Sequence, residues 1–188
     1  MLSKTLSIEE MAVLRSEIGK TLVSFEGSPL GPNDYYGAIR LNIQGVSIDI
    51  SNFFEEADVS FEKGMGTEEV GTMHVRRSDG PMSFGDLVSG PEPKVVDVGL
   101  IIQGIEVVND NIEIRLDDRV TNSFAFTQAL ILHLETGGLV IDRNIWFEVI
   151  LGACITGDVR KCLRDTEKDW NRGAGKYRAT VRREIIAL

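Results

Sequence analysis

The sequence predicts an α+β fold, mainly antiparallel β-sheet with three or more hairpins, bounded by an N-terminal and a C-terminal helix. Three observations predict it. Between residues 35 and 143 apolar residues alternate with polar ones on both sides of short turn-forming stretches, the period of a strand. At Ser7 a helix start signal opens an apolar stripe with spacings of three and four. Near the other end, Asp158 follows Gly157 and precedes apolar residues at helical spacing.

The chain has 188 residues, 43% of them hydrophobic, which suits one domain spanning 1–188 with a substantial core. The apolar stretches Val95 to Ile102 and Ile145 to Ile155 are short or interrupted by charge and glycine, well under the roughly 20 residues of a membrane span. The N-terminus MLSKTLSIEE lacks the apolar centre of a secretory signal, and Cys154 and Cys162 are too few for a disulfide framework. A cytoplasmic location is the resulting expectation.

The N-terminal helix is expected from Ser7, whose side chain caps the first turn while Glu10 reaches back, and its buried face is Met11, Leu14, Ile18, Leu22 and Phe25. The loop Gly27 to Asp34, with two prolines and two glycines, ends it. A hairpin follows. If Gln44 and Gly45 turn, Ile43 faces Val46, Leu41 faces Ile48 and Ile39 faces Ile50, all on one side of the sheet. In ALILHLETGGLVID, Leu134 should face Leu139 and Leu132 should face Ile141 across Glu135 to Gly138. A third hairpin is expected to place Ile105 and Val107 against Ile114 and Ile112, turning at Asn109 and Asp110. Val95 to Ile102 reads as a strand with a bulge at Gly99, and Val70 to Arg77 as a weaker strand. Phe61 to Gly71 and Ser89 to Lys94 read as loops. After Asp158, Val159, Cys162, Leu163 and Trp170 mark a helix ended by Arg172 to Gly175, and Tyr177, Ala179 and Val181 favour a closing strand over a helix.

Two of these units resemble each other. GVSIDISNFFE, Gly45 to Glu55, and GLVIDRNIWFE, Gly138 to Glu148, share strand, turn, strand, a helix-capping residue type (Ser51, Asn144), an aromatic pair and a carboxylate. Duplication of a hairpin-plus-short-helix unit, spanning 35–58 and 127–151, and simple recurrence of a common unit both account for that order.

Net charge is −9, but residues 1–150 hold 11 Lys and Arg against 24 Asp and Glu, whereas residues 151–188 hold 9 against 5. The acidic body disfavours nucleic acid and anionic membranes as partners and suits a basic protein. The densest acidic stretch carries Glu55, Glu56, Asp58, Glu62, Glu68 and Glu69 with a single lysine. The tail cations Arg160, Lys161, Arg164, Lys168 and Arg172 interleave with Asp158, Asp165, Glu167 and Asp169, a pattern of intrahelical ion pairs rather than an RNA-binding stripe.

Catalytic signatures are sparse. With only His74 and His133, and cysteines eight apart, neither a histidine-rich metal centre nor a tight CxxC pair exists, and no cofactor or metal is expected. Gly64, Gly66 and Gly71 match neither dinucleotide nor P-loop spacing, and no GxSxG elbow is present. His133 is a candidate acid or base, against a plain strand histidine. His74 beside Arg76 and Arg77 is a candidate anion site, against an edge strand whose cations oppose nearby acids. Asp49 and Asp142 hold matching hairpin positions and would meet only in a pseudo-symmetric packing; otherwise they are solvated. Cys154, in apolar ILGACITG, reads as a buried inert thiol.

The leading expectation is a small cytosolic protein-binding module, of the immunity or antitoxin-like inhibitor type, that meets a basic partner through Glu55, Glu56, Asp58, Glu62, Glu68 and Glu69. The alternatives are a small hydrolase or transferase using His133 or His74 with a carboxylate, and a subunit of a larger assembly. The sequence names no catalytic residue, and it leaves the partner and the oligomeric state open.

Overall fold

A computed structural model of the chain describes residues 2–30, 35–61, 64–80, 93–144, 150–172 and 175–188, with side chains described outside 57–68. In chain order the elements are β1 (Leu2–Lys4), α1 (Ile8–Arg15), β2 (Thr21–Gly27), β3 (Tyr35–Tyr36), β4 (Ala38–Ile43), β5 (Val46–Phe61) and β6 (Gly64–Arg77). There follow β7 (Lys94–Leu116), β8 (Arg119–Leu134), β9 (Gly138–Arg143), β10 (Leu151–Thr156), α2 (Val159–Cys162), α3 (Thr166–Asn171) and β11 (Tyr177–Ala187). Mainly antiparallel sheet with a helix near each end agrees with the α+β class expected from the sequence, although the helices are shorter than expected.

The long strands β7 and β8 form the spine. They join at Asp117 and Asp118, where Asp117 takes φ 54°, a left-handed conformation that aspartate tolerates better than most residues. One edge of β7 pairs with β2 along its first half and β11 along its second. The far edge of β8 pairs with β9 and, at Phe124 to Phe126, with β1 in parallel. The strand order β3-β10-β9-β8-β7-β2-β4-β5-β6 brings both halves onto one core, where Leu41, Ile48 and Ile50 join Leu130, Leu132 and Ile141. β8 is buried on both faces, because Ala129 and Ile131 pack with Val108 and Val140 beneath Val159, Cys162 and Leu163. Two-sided burial explains why ALILHL is nearly continuous apolar sequence rather than an alternation.

The first hairpin has the expected register: Ile43 pairs with Val46, Leu41 with Ile48 and Ile39 with Ile50, and Gly45 takes φ 84° in the turn. In the second, the faces are as expected but the register is displaced by two residues, since Leu132 pairs with Leu139 and Leu130 with Ile141. The Leu134 N–H donates to the Gly137 carbonyl, and Gly137 at φ 71° completes a tighter turn than the sequence suggested. Of the core residues expected from parity, Ile39, Leu41, Ile43, Ile48, Ile50, Leu130, Leu132, Leu134, Leu139 and Ile141 are buried, and Val46 packs half-buried on the same cluster. The bulge at Gly99 is present: Leu22 pairs with Leu100 and Ser24 with Asp97, so the register slips at this glycine, which adopts φ 67°.

Other expectations are corrected. The N-terminal helix has its capping box but stops at Arg15, and Leu22 and Phe25 belong to β2. After it the chain tightens into i→i−3 bonded turns, Gly19 at φ 88° leads out of them, and the exchange of hydrogen bonds between Gly19, Lys20 and Ile102 clamps the new strand onto β7. No turn occurs at Asn109 and Asp110; β7 runs straight through, because both polar side chains are satisfied by distant partners. The Asn109 side chain accepts from Thr127, and Asp110 accepts from Arg183 and Thr166. Gly64 to Gly71 is strand, not loop, paired along β5. The chain after Ser51 continues in β5 to Phe61, so the first unit has no short helix; Trp146, Phe147 and Glu148 of the second lie outside the described residues, as do Ser89 to Glu92. The C-terminal helix is split into α2 and α3, Asp158 makes no side-chain cap, and Asp165 caps α3 instead. The last segment is the expected closing strand. No helix among the described residues is long and apolar enough to cross a membrane.

Candidate interaction surface

β4 accompanies β5 only as far as Ser51; beyond it β5 and β6 continue as a two-stranded ribbon out to the pairing of Phe61 with Gly64. The root of the ribbon is fixed to the β7–β8 layer. Val70 packs with Ile112, Phe124 and Phe126, and the Gly71 carbonyl accepts from Arg143 Nη1 at 2.6 Å. Arg143 is only 2% exposed and sets its guanidinium 4.3 Å over the Phe126 ring, so a buried cation is held by a carbonyl and an aromatic face. On one side of the ribbon Glu55 is half-buried and engaged by Lys4, by Thr72 at 3.2 Å and by His74. The Lys4 ammonium holds the Glu55 carboxyl below its usual range against a smaller opposing effect of burial, helped by the His74 and Thr72 bonds.

The opposite side is different in character. Phe54 is 52% exposed and stands across from Gly71, which offers no side chain to cover it. Glu56 stands directly across from Glu69, both exposed and, among the described residues, neither in an ion pair. Like charges facing each other across a strand pair are destabilising, so this side carries an electrostatic cost that folding does not require. Of the candidate contact residues, Glu55 is thus engaged internally while Glu56 and Glu69 are free to face a partner. Asp58 pairs by register with Thr67 and Glu68 with Ala57, their side chains lying outside the described set together with all of Glu62.

His74 sits on the root of β6 between two carboxylates, with Nδ1 3.3 Å from Glu10 of α1 and Nε2 3.0 Å from Glu55. Bonding to Glu10, opposed by burial and reinforced by the charges of both glutamates, raises its pKa. Of the two readings of this segment, the contacts match the edge strand whose cations oppose nearby acids rather than the anion site: both ring nitrogens face carboxylates, Arg77 bonds Ser16 and Glu17 of the segment after α1, and Arg76 is exposed. His133 is 3.4 Å from Glu106, which also binds Arg160 at 2.7 Å. A groove of about 560 Å³ between α2–α3 and β11 is lined by Arg160, Arg164, Thr166, Arg183 and Ile185, and His133 is not part of its wall.

Asp49 and Asp142 are neither solvated nor combined. Each is buried with its own arginine: Asp49 accepts two bonds from Arg40, at 2.6 and 3.1 Å, and Asp142 lies 2.8 Å from Arg164 Nε. Burial pushes the Asp142 pKa up against the pull of Arg164. Cys154 is not a free thiol; it is bonded to Cys162, with 6.5 Å between their Cα atoms. The tail cations form the expected pairs within the tail only in part. Lys161 pairs with Asp158 and Arg172 with Asp169 within the tail, whereas Arg160 and Arg164 reach Glu106 and Asp142 on the sheet.

Two groups escaped the sequence reading, Arg143 and the network of Asp110, Arg183 and Thr166. Asp110 is fully buried, accepts from Arg183 Nε and Nη2 at 2.7 Å each, and accepts from Thr166 Oγ1 at 2.5 Å. The signal in the sequence is an ND pair inside a β-branched run, a pattern that also fits a turn. No group of three or more His, Cys, Asp or Glu suited to a metal ion occurs among the described residues. Comparison with known proteins finds no family model, no curated protein and no solved structure that matches this chain.

Proposed function

We propose that the protein is a protein-binding module, of the immunity or antitoxin-like inhibitor type, whose β5–β6 ribbon meets a basic partner. The observation carrying this reading is the exposed side of the ribbon, where Glu56 opposes Glu69 beside the uncovered ring of Phe54. Two unpaired carboxylates supply long-range attraction to a basic surface, and an exposed aromatic supplies the buried anchor that interfaces favour. A cationic partner relieves the repulsion between the two glutamates, so association and folding gain from the same contact.

The test is a pair of charge-reversed variants. E56K/E69K alters the ribbon, and E113K/E184K makes the same change in net charge on β7 and β11. Proteins captured from a lysate identify the partner, and association is then timed at low and high salt. The ribbon variant is expected to associate about tenfold or more slowly at low salt, with the control unchanged. Equal rates for the two variants, or capture of no basic protein, would sink the reading.

A second reading, a small hydrolase or transferase, draws on the carboxylate beside each histidine, Glu10 and Glu55 at His74 and Glu106 at His133. It expects H74A or H133A to abolish an ester- or phosphate-cleaving activity while E56K/E69K leaves that activity intact.

A further inference from the structure

We propose that the Cys154–Cys162 disulfide is a redox-released clasp on α2: its two-electron reduction frees α2 from the sheet and uncovers the apolar patch of Val108, Ala129, Ile131 and Val140. The bond joins β10 to the last residue of α2. The helix it holds has little else to keep it in place. Four residues form barely one turn, a length at which the cost of nucleation far exceeds the gain from hydrogen bonds. Its N-cap, Asp158, makes no side-chain capping bond, none of its residues is buried, and the chain leaves it extended at Leu163. The noncovalent anchors are the packing of Val159 and Leu163 on the patch and the pair Arg160–Glu106, in which the arginine side chain is 47% exposed and so weakly held.

The anchors on either side are far stronger. β10 is laddered to β9 up to Thr156, and past the helix Arg164 is paired with Asp142 and Thr166 bonded to Asp110. Loosening is therefore confined to Gly157 through Leu163, a flap hinged at both ends over the patch. Both cysteines are partly exposed, so a small thiol can reach them. Reduction takes a dithiol as electron donor. One of its thiolates attacks a cysteine Sγ, the S–S bond breaks, and the departing Sγ takes up a proton. The second thiolate then attacks the mixed disulfide and releases the other cysteine as a thiol. The protein gains two electrons and two protons, and the dithiol leaves as its cyclic disulfide.

Hydrogen exchange read by mass spectrometry tests this on the full chain purified without reductant, with dithiothreitol as the probe. Amides of Val159 to Leu163 are expected to exchange about tenfold or more faster after reduction, while the β4–β5 hairpin keeps its protection. C154S/C162S is expected to show the fast exchange with or without dithiothreitol. If that variant loses β4–β5 protection as well, the wild-type comparison alone decides. Equal exchange of Val159 to Leu163 in the oxidised and reduced protein overturns the proposal, and so does alkylation of both cysteines by iodoacetamide in protein that never met a reductant.

Discussion

Glu10 ties the start of α1 to β6 with one carboxylate, and replacing it with glutamine gives a prediction with a definite size and pH window. Its Oε2 accepts from the Ser7 N–H at 2.8 Å, and its Oε1 from the Val75 N–H at 3.1 Å and from His74 at 3.3 Å. Burial raises its pKa, but these bonds outweigh burial and hold it at about 2 instead of 4.5. A depression of that size corresponds to roughly 3 kcal/mol of folded-state stability at neutral pH. The side chain keeps 19% exposure, so water screens part of this and about 2 kcal/mol is the working figure. For a chain of this length that lowers Tm by about 4 to 8 °C.

Because the folded pKa is depressed, the contribution is complete above 4.5 and disappears as pH falls towards 2. The Tm gap between wild type and E10Q should therefore be full at pH 7 and close between these values. His74 acts in the opposite direction. Only the imidazolium has a proton on both ring nitrogens to give to Glu10 and Glu55 together. Its raised pKa means that its contribution is complete below 6.5 and lost as pH climbs through the folded value, a loss that E10Q should blunt. Thermal unfolding of wild type, E10Q and the exposed-site control E9Q across pH supplies the data. An E10Q gap that is absent at pH 7, or that persists undiminished at pH 2, refutes the assignment of Glu10 as the clamp between α1 and β6.

Three further substitutions probe the rest of the polar framework. Asp110→Ala strands Arg183 without its bidentate partner and should cost about 3 to 5 kcal/mol, seen as a lower urea midpoint. Arg143→Ala removes the bond to the Gly71 carbonyl and the stack on Phe126; a loss of about 3 kcal/mol and faster amide exchange in β6 are expected. Asn171→Ala leaves the Ala179 N–H and carbonyl on the outer edge of β11 without their caps, and should cost about 1 kcal/mol and raise exchange at Ala179.

What could be read from the sequence followed from local rules, and what could not depended on distant partners. The parity of Ile39 to Ile50 fixed the first hairpin because a slip of one residue would have turned the three apolar side chains of one strand outward. The same parity allowed the slip of two in the second hairpin, which moves no side chain to the other face and is decided by the glycine turn. The capping box at Ser7 is likewise local, but the end of α1 is not: Leu22 and Phe25 fit a helical stripe as well as a strand, and pairing with β7 settled the matter. Asn109 and Asp110 look like a turn until Thr127, Thr166 and Arg183 are brought beside them from as many as 73 residues away. For the same reason the candidate surface was half legible. Acidity marked the stretch that holds Glu55, Glu56 and Glu69, while the division between the engaged Glu55 and the exposed Glu56 and Glu69 depends on where Lys4 and His74 arrive.

The opposed charges of body and tail acquire a structural meaning from this division. The excess of cations after residue 150 is largely consumed within the molecule, by Arg160 on Glu106, Arg164 on Asp142 and Arg183 on Asp110. These pairs neutralise acids of the β7–β9 layer, most of them buried, and so subtract negative charge from the region that the tail covers. None of these three cations pairs with a described ribbon residue; Lys4 goes to Glu55, and Arg143 bonds the Gly71 carbonyl at the ribbon's root. The exposed Glu56 and Glu69 are left outside this neutralisation, and on the proposed reading they are the carboxylates that draw a basic partner. It follows that neutralising Glu56 and Glu69 should affect association more than removing any two of the other exposed acids, although each such change alters the net charge equally.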